Sequence, residues 1–142
     1  MTIFDANVLL YGYNSDSPEH RVTRDWLEEL FAGPERIGIP WLSLWAFLRI
    51  STNARAARHP FSLSEAFEIV QDLIAQPNVT IVDPGSRHVE ILHAVAIESR
   101  ISGSHMADAV LAALAIEHGA MLASTDRGFA RFKGLRWVNP LE

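Results

Sequence analysis

Residues 2–9 read TIFDANVL, a short β-prone run that stops at Asp5 and leads into a brief apolar segment with helical spacing. Four further short apolar runs are predicted to form strands: residues 36–39, 79–82, 121–123 and 135–138. Helical segments separate most of these runs. Strands that alternate with helices predict βαβ units, a parallel sheet and right-handed crossovers, with helices on both faces. The sequence therefore predicts an α/β fold with a central parallel sheet of about five strands.

Capping and termination signals mark the helices between these strands. Five longer helices are predicted: one between Ser17 and Gly33, and others over residues 41–51, 62–75, 86–98 and 105–118. The second of these helices is apolar on almost every side. Its stripe at helical spacing is predicted to be core: Trp41, Leu44, Trp45 and Leu48. Leu42 and Phe47 fall outside this stripe, so we expect a second copy of the chain or a partner helix to cover them, with packing inside the chain as the alternative.

Length and composition restrict the class of protein. The 142 residues, of which 49% are hydrophobic and 20% charged, are enough for one domain, residues 1–142, with its own core. The net charge of −5 excludes a globally basic nucleic-acid coat, so any nucleic acid would be bound by a local positive strip.

The absence of cysteine and of a long apolar stretch indicates where in the cell the protein is expected. The chain has no cysteine, which excludes disulfides and Cys-based zinc sites and fits a reducing cytoplasm. No uncharged stretch approaches the roughly 18 apolar residues that a membrane-spanning helix needs. We therefore expect a soluble, cytoplasmic protein.

Three aspartates are predicted to meet at one edge of the sheet. Asp5 directly follows the first strand, Asp126 follows the fourth, and Asp108 lies in the first turn of the helix before the fourth. Ligands of open parallel sheets bind beyond the carboxyl ends of the strands, where the strand order reverses. Each aspartate alone is typical of a helix cap or a first-turn acid that favours the helix dipole. Taken together, they predict a site of concentrated negative charge.

Converging carboxylates repel one another, and protonation or a divalent cation relieves the repulsion. Oxygen ligands without cysteine favour a hard ion, Mg²⁺ or Mn²⁺, which keeps several waters and often takes substrate phosphate as a further ligand. Such an ion can lower the pKa of a bound water and neutralise charge on phosphate oxygens. The three aspartates therefore indicate phosphodiester hydrolysis by metal-activated water.

Four motifs together resemble PIN-domain ribonucleases, and more narrowly the VapC toxins of bacterial VapBC toxin–antitoxin modules. They are residues 2–9 (TIFDANVL), 47–52 (FLRIST), 108–115 (DAVLAALA) and 124–129 (STDRGF). The likeness extends to the closing residues 135–140 and is strongest to the mycobacterial members. It implies a three-layer α/β/α PIN-like fold and a Mg²⁺-dependent endoribonuclease that acts on structured RNA such as tRNA or rRNA. It also implies a cognate VapB antitoxin and a homodimer.

The resemblance assigns roles to particular residues. Asp5 and Asp108 match the principal metal ligands, and Asp126 matches a later acid of the site. Ser124 matches a hydroxyl that orients the first aspartate, and Asn7 occupies the position of a small polar residue beside the metal. All three aspartates are thus the expected catalytic and metal-binding residues.

The chain departs from the family pattern at one position. Ala46 stands where an acid is usual on the helix after the second strand, and no Asp or Glu occurs between Glu35 and Glu65. Three acids rather than four put a second metal ion in doubt. They also make a catalytically weak or inactive PIN-like module, binding RNA or antitoxin, the main alternative.

Cationic residues outside the aspartates are candidates for RNA binding. The candidates on the helix and loop after the second strand, and before the aspartate-bearing helix, are Arg49, Arg55, Arg58, Arg100 and His105. A second cationic run surrounds the last turn: Arg127, Arg131, Lys133 and Arg136. Solvated charge is the alternative for the first group, and an ordinary helix-start histidine is the alternative for His105.

A receiver-like signalling domain would use the same α/β architecture and a phosphorylated aspartate. Such a domain needs an acidic pair after the first strand and a lysine at the end of the last one. Here Asp5 is followed by Ala6, and Lys133 precedes the last strand. The residues therefore argue against this alternative.

Overall fold

A parallel sheet of five strands forms the centre of the computed structural model, which describes all residues 1–142. The strands are β1 (Thr2–Phe4), β2 (Ile37–Pro40), β3 (Val79–Val82), β4 (Met121–Ala123) and β5 (Arg136–Val138). Their order in the sheet is β3-β2-β1-β4-β5, and every neighbouring pair is parallel. The strand order therefore reverses between β1 and β4, which lie side by side. The α/β class and the five predicted strands are confirmed.

Six helices cover the two faces of this sheet. They are α1 (Ala6–Tyr13), α2 (His20–Ala32), α3 (Trp41–Ser51), α4 (Leu63–Ala75), α5 (His88–Glu98) and α6 (Met106–Glu117). Two short 3₁₀ helices, Gly103–His105 and Arg127–Arg131, precede α6 and follow β4. The three-layer α/β/α arrangement predicted from the resemblance is confirmed.

Alternate residues of β1 point into two separate cores, as the two-residue period of a strand requires. Ile3 belongs to a core with Leu111 and Leu122, which α6 and β4 contribute. Phe4 belongs to a core with Leu9 and Phe47, which α1 and α3 contribute. Ile3 and Phe4 are both fully buried. The first strand is therefore the central element of the sheet.

Local capping signals fix several helix starts. Asp5 caps α1, since its side chain accepts a hydrogen bond from the Ala6 amide. The predicted capping box of α4 is confirmed, because Ser62 and Glu65 exchange side-chain to backbone hydrogen bonds. Pro40 ends β2 and directly precedes α3, without an intervening loop.

Some predicted boundaries shift by a few residues. The first helix runs over Ala6–Tyr13 and not only over residues 8–11, because the Asp5 cap starts it directly after the strand. Helix α5 begins at His88 rather than at Ser86, and β5 begins at Arg136 rather than at Leu135. These shifts leave the order of the elements unchanged.

The prediction for the apolar stripe of α3 was wrong in part. Trp41 and Trp45 are 40% and 62% exposed and stack on each other, with ring centroids 6.4 Å apart. Phe47, expected to need external cover, is fully buried between α1 and the sheet, together with Leu44. The predicted stripe is therefore divided: Leu44 lies in the core as predicted, whereas the two tryptophans lie on the outer side of the helix.

No helix in the structure has both the length and the apolar character needed to span a bilayer.

A carboxylate joins the end of α6 to the loop before α5. Glu117 accepts hydrogen bonds from the backbone amides of Gly85 at 2.8 Å and Arg87 at 3.0 Å. A Cβ at position 85 would lie 2.6 Å from this carboxylate, so a larger residue there would have to displace the end of the Glu117 side chain. The Gly85 hydrogen bond is the main cause that lowers the pKa of Glu117 below its usual value.

We predict that Glu117→Gln lowers the melting temperature at pH 7, because the amide accepts these hydrogen bonds less strongly than the carboxylate. A pKa lowered in the folded state stabilises the protein above the pKa of the unfolded state and loses that contribution as pH falls. The difference in melting temperature between variant and wild type should therefore shrink below about pH 4. Glu68→Gln, at an exposed position of α4, is the control. An undiminished difference at pH 3 would contradict the assignment.

Candidate metal centre at the strand-order reversal

The reversal of strand order brings the residues that follow β1 and β4 together. The backbone amide of Asp5 donates to the carbonyl of Ala123 at 3.0 Å, which continues the β1–β4 pairing by one residue. Asp5 and Ser124 therefore leave the sheet side by side. This is the edge at which ligands of open parallel sheets bind.

Both carboxylate oxygens of Asp5 are held in place. Oδ1 accepts from the backbone amide of Ala6 at 2.7 Å. Oδ2 accepts from the Ser124 hydroxyl at 2.7 Å and from the Asn7 side-chain amide at 3.1 Å. These bonds fix the rotamer of Asp5 at the start of α1. The contact between Ser124 and Asp5 agrees with the orienting role that the resemblance assigns to the serine.

Ser124 links the two strand ends. Its side chain is fully buried, and its hydroxyl accepts from the Asn7 side chain at 3.0 Å and from the Asp126 backbone amide at 3.1 Å. Asn7 in turn accepts from the Thr125 amide at 3.1 Å, so a side chain of α1 holds the segment after β4. We refer to Asp5, Asn7, Ser124 and Asp126 as the carboxylate network.

Sequence reasoning missed one support of this network. The indole Nε1 of Trp137, in β5, donates to the Ser124 carbonyl at 2.9 Å. The sequence signal was weak, since Trp137 was recognised only as part of the closing motif. Its hydrogen bond ties the last strand to the segment that carries Ser124.

Burial raises the pKa of Asp5, since removal from water disfavours its charged form. The hydrogen bonds from Ser124 and Ala6 oppose this shift, and the charges of Asp108 and Asp126 add to it. Both aspartates therefore lie close enough to act on Asp5 electrostatically. No cationic side chain forms an ion pair with Asp5.

Asp126 has the capping role that its position after a strand suggests. Its Oδ1 accepts from the Gly128 amide at 2.8 Å, at the start of the second 3₁₀ helix. The side chain lies at an exposed position, and Oδ2 makes no hydrogen bond within the protein. The cap therefore leaves one oxygen of Asp126 available at this edge.

Asp108 is the third residue of α6 and is partly buried, with 29% of its side chain exposed. Nδ1 of His105 lies 3.8 Å from its Oδ2 and 3.2 Å from a guanidinium nitrogen of Arg131. Nδ1 accepts the Arg131 hydrogen bond only when it carries no proton. In that state His105 is neutral, and its contact with Asp108 is not an ion pair.

These residues fit a hard cation by donor type and by charge. Asp5, Asp108 and Asp126 offer carboxylate oxygens, and no protein cation pairs with Asp5, whose pKa is raised first by burial and then by the charges of the other two aspartates. No three histidine or acidic side chains, however, are grouped closely enough to hold an ion among themselves. A Mg²⁺ ion usually keeps several waters and takes only one or two protein carboxylates. Direct ligation by all three aspartates stays a prediction.

Ala46 lies on the helix that borders this edge. Ser43, in the first turn of α3, donates from its hydroxyl to the carbonyl of Phe4 at 2.7 Å and anchors α3 to the end of β1. Residues three apart share a helix face, so Ala46 continues the face of Ser43. The family acid would stand on this face, where the chain has a methyl group.

The RNA-binding candidates lie in two segments of the chain. Arg49, Arg55 and Arg58 occupy exposed positions in the last turn of α3 and the loop after it, and none forms an ion pair with an acid. Arg100 has a positive φ of 53° at the end of α5, and His105 directly precedes α6. Within the second cationic run, Arg127 pairs with Glu142 at 2.6 Å. The first three arginines are therefore free of acidic partners within the chain.

Comparisons with known proteins identify the family. The family model of the PIN domain matches residues 2–135. The chain is 40% identical to Ribonuclease VapC31 of Mycobacterium tuberculosis over 140 residues, which cover 99% of each protein. It is 39% identical to Ribonuclease VapC25 of the same species, again over 140 residues and 99% of each.

The fold has counterparts among solved structures. One is VapBC2 from Rickettsia felis bound to a DNA fragment from its promoter, with a TM-score of 0.72, 17% identity and 97% of each chain covered. Another is VapBC-1 from nontypeable Haemophilus influenzae, with a TM-score of 0.70, 13% identity and coverage of 99% of this chain and 98% of that one. At these identities the structures support the fold alone. With the family model and the mycobacterial relatives, they lead to one conclusion: the chain belongs to the PIN domain family, among the VapC ribonucleases.

Proposed function

We propose that this chain is a Mg²⁺-dependent endoribonuclease, the toxin of a type II toxin–antitoxin module, and that it cleaves structured RNA such as tRNA or rRNA. The observation that carries the proposal is the Asp5 carboxylate. It lies at the strand-order reversal, is held by Ser124 and Asn7, and has no cationic partner while two further aspartates act on it. The names of the relatives, which are ribonucleases, support the same reaction class.

Asp5 and Asp108 are the residues that would hold the ion, with Asp126 as a further oxygen donor. When bound, Mg²⁺ or Mn²⁺ would supply an activated water and stabilise negative charge on the phosphate. The carboxylate of Asp5 is already oriented, since three hydrogen bonds define its position. Such preorganisation lowers the cost of ordering ligands at the moment of binding.

Ser124 and Asn7 act as positioning residues. Ser124 donates to the Asp5 carboxylate, and Asn7 contacts both of these side chains through one amide nitrogen. Mutation of a residue that holds a metal-ligand side chain in place typically lowers metal affinity or activity about 10- to 100-fold. Neither side chain needs to touch the RNA for this effect.

Arg49, Arg55 and Arg58 would bind RNA phosphates. A chain with a net charge of −5 repels a polyanion at long range, so contact depends on cations that are not neutralised locally. These three arginines meet that condition, and the planar guanidinium suits bidentate phosphate contacts. Arg100 and His105 are further candidates on the Asp108 side of the edge.

A VapB-type antitoxin and a second copy of the chain are the proposed protein partners. The fold neighbours named VapBC support the first. The second is supported by the stacked pair of Trp41 and Trp45, which leaves a large apolar surface on the outer face of α3. An isologous contact would cover the same tryptophans on both copies.

A PIN-like module without catalysis is the second candidate. Two observations favour it: Ala46 replaces the usual acid, and no three acidic side chains are grouped closely enough to hold an ion among themselves. Such a module would bind RNA or antitoxin without turnover. Metal-dependent cleavage separates the two candidates.

We predict that Asp5→Asn abolishes Mg²⁺-dependent cleavage while the fold survives. The substitution removes a charge but not volume, and asparagine caps helices about as well as aspartate. The amide offers one acceptor fewer to Ser124 and Asn7 but removes the desolvated charge, so cooperative unfolding should be retained. Cleavage of total RNA and thermal unfolding of the same preparation test both statements. Asp25→Asn, at an exposed position of α2, should change neither, and undiminished cleavage by Asp5→Asn would refute the assignment.

We predict that Ser124→Ala raises the Mg²⁺ concentration at half-maximal cleavage by about 10- to 100-fold. The alanine leaves Asp5 without its shortest side-chain hydrogen bond, so the carboxylate is less well oriented. Ser43→Ala is the matched control, because it also removes a buried serine hydroxyl with a 2.7 Å hydrogen bond, but one to the Phe4 carbonyl. Each variant should lose about 1–3 kcal/mol of stability. Equal Mg²⁺ dependence in the two variants would assign Ser124 a purely structural role.

We predict that the wild-type chain does not cut a mixed tRNA pool in EDTA and begins to cut it as Mg²⁺ or Mn²⁺ is added. Cleavage products and RNA binding are measured in the same titration, by gel and by filter retention. Cleavage in EDTA would contradict metal dependence. Binding without cleavage at every metal concentration would instead favour the non-catalytic module.

A further inference from the structure

Arg131 is the last residue of the second 3₁₀ helix, and the function proposed above gives it no role. Its Nε donates to the carbonyl of Gly128 at 2.7 Å, and its Nη1 donates to Nδ1 of His105 at 3.2 Å. The central carbon of the guanidinium lies 5.6 Å from the ring centroid of Phe132, within the range of cation–π attraction. Phe132 is itself buried in the core beside Phe129. Two hydrogen bonds and a fixed ring therefore hold the guanidinium in place.

This guanidinium lies between Asp108 and Asp126. Nδ1 of His105 is 3.2 Å from Nη1 and 3.8 Å from Oδ2 of Asp108, so Nη1 is no farther from this carboxylate than the sum of the two distances. A Cβ at position 128 would lie less than 3.0 Å from both Nη2 of Arg131 and Oδ1 of Asp126, so less than twice that distance separates these two atoms. Arg131 nevertheless forms an ion pair with neither aspartate. A cation thus stands close to two of the three candidate metal ligands without pairing with them.

The Nη2 end of Arg131 is free and accessible. Nη2 makes no hydrogen bond within the protein, and it is not among the buried polar atoms that lack a partner, although Arg131 as a residue is partly buried. Its neighbours on this surface are accessible as well. The side chains of Asp108 and His105 are 29% and 54% exposed, and Asp126 occupies an exposed position. A ligand from solvent can therefore contact Nη2 beside the aspartates.

The free donors of Arg131 suit a phosphate. An arginine that served only to balance Asp108 or Asp126 would gain most from direct contact, since the attraction of opposite charges falls with distance. The hydrogen bonds to Gly128 and His105 instead hold the guanidinium apart from both carboxylates. Guanidinium N–H groups match the spacing of two phosphate oxygens. A phosphate at this edge would meet donors that are already oriented.

We propose that Arg131 is a phosphate-binding residue of the candidate site and that its Nη2 donates to an RNA phosphate lying beside Asp108 and Asp126. This inference rests on the proposed action on RNA and adds to it a residue that touches the substrate. Gly128 and His105 act on Arg131 as positioning residues. Because the chain carries a net charge of −5, a fixed cation here also reduces the repulsion that the aspartates exert on phosphate.

RNA binding without cleavage tests the proposal. Filter retention of a mixed tRNA pool in EDTA is measured over a range of salt concentrations for the wild type and for Arg131→Gln. Loss of one phosphate contact should weaken binding about 10-fold and reduce the slope of log affinity against log salt by about 1. Arg21→Gln removes the same charge from an exposed position of α2 and should change neither quantity. Equal affinity and slope in the wild type and Arg131→Gln would overturn the proposal.

Arg131→Lys separates a phosphate contact from charge balance. Lysine keeps the positive charge, but its one nitrogen cannot hold Gly128 and His105 and still present a planar pair of donors. This variant should therefore bind the tRNA pool about 3- to 10-fold more weakly than the wild type, the effect of one hydrogen bond. Cooperative thermal unfolding is checked for both variants. Wild-type affinity in Arg131→Lys would assign Arg131 to charge balance alone and overturn the proposal.

A measurement on the wild type alone does not depend on whether the variants fold. The Nε–H signal of Arg131 is followed by NMR in EDTA while inorganic phosphate is added, with chloride at equal ionic strength as the control. Phosphate should shift this signal saturably and chloride should not, because only phosphate offers two oxygens to the guanidinium. The same response to phosphate and to chloride would overturn the proposal.

These outcomes are separable from those of the proposed reaction. Weaker binding by Arg131→Gln, in a chain that cuts no RNA at any metal concentration, would support the phosphate contact and contradict only the nuclease. Metal-dependent cleavage by the wild type, together with unchanged RNA binding by Arg131→Gln, would support the nuclease and overturn the phosphate contact.

Discussion

The parallel pairing of β1 with β4 is the constraint on which the rest of the structure depends. The two strands are far apart along the chain, and their pairing makes the strand order reverse at one point of the sheet. It places Asp5 beside Ser124, and the 2.7 Å hydrogen bond between their side chains joins the segments that follow the two strands. Asn7 and Trp137 then tie α1 and β5 to the same segment. One pairing thus organises the central strand, the first helix and the candidate site.

The position of Asp5 at the end of β1 lowers stability and is explained by function. A carboxylate at the end of a buried strand is disfavoured by desolvation, and two nearby aspartates add to the penalty. The Ser124, Asn7 and Ala6 hydrogen bonds hold Asp5 in one orientation but do not neutralise it. Groups that break a local rule of folding without compensation within the chain are typical of functional sites. At this edge the Asp5 carboxylate lacks a positively charged partner.

Features that depend on residues close together in the sequence, such as strands and helix caps, were predicted correctly. The five strands, the Asp5 cap and the Ser62 capping box follow from residues within a few positions of each other, and the structure confirms them apart from shifts of one residue in β2 and β5. The spacing of Trp41 and Trp45 indicated a shared helix face but not its side, because the side depends on how α3 meets the sheet. The role of Ser124 came from family resemblance alone. The cavity between α1, the end of α3 and the loop that leads to α4 had no sequence signal, since it forms only where these three segments meet.

The two parts of the proposed site would act on RNA in opposite ways. The aspartates at the sheet edge would repel phosphate, whereas Arg49, Arg55 and Arg58, which have no acidic partners within the chain, would attract it. A chain with a net charge of −5 does not attract RNA as a whole at long range, so the first contact is expected at these arginines. That contact would not require the aspartates to be neutralised. Cleavage would, because the phosphate must approach Asp5 itself. Under the proposed function, binding and chemistry are for that reason physically separable.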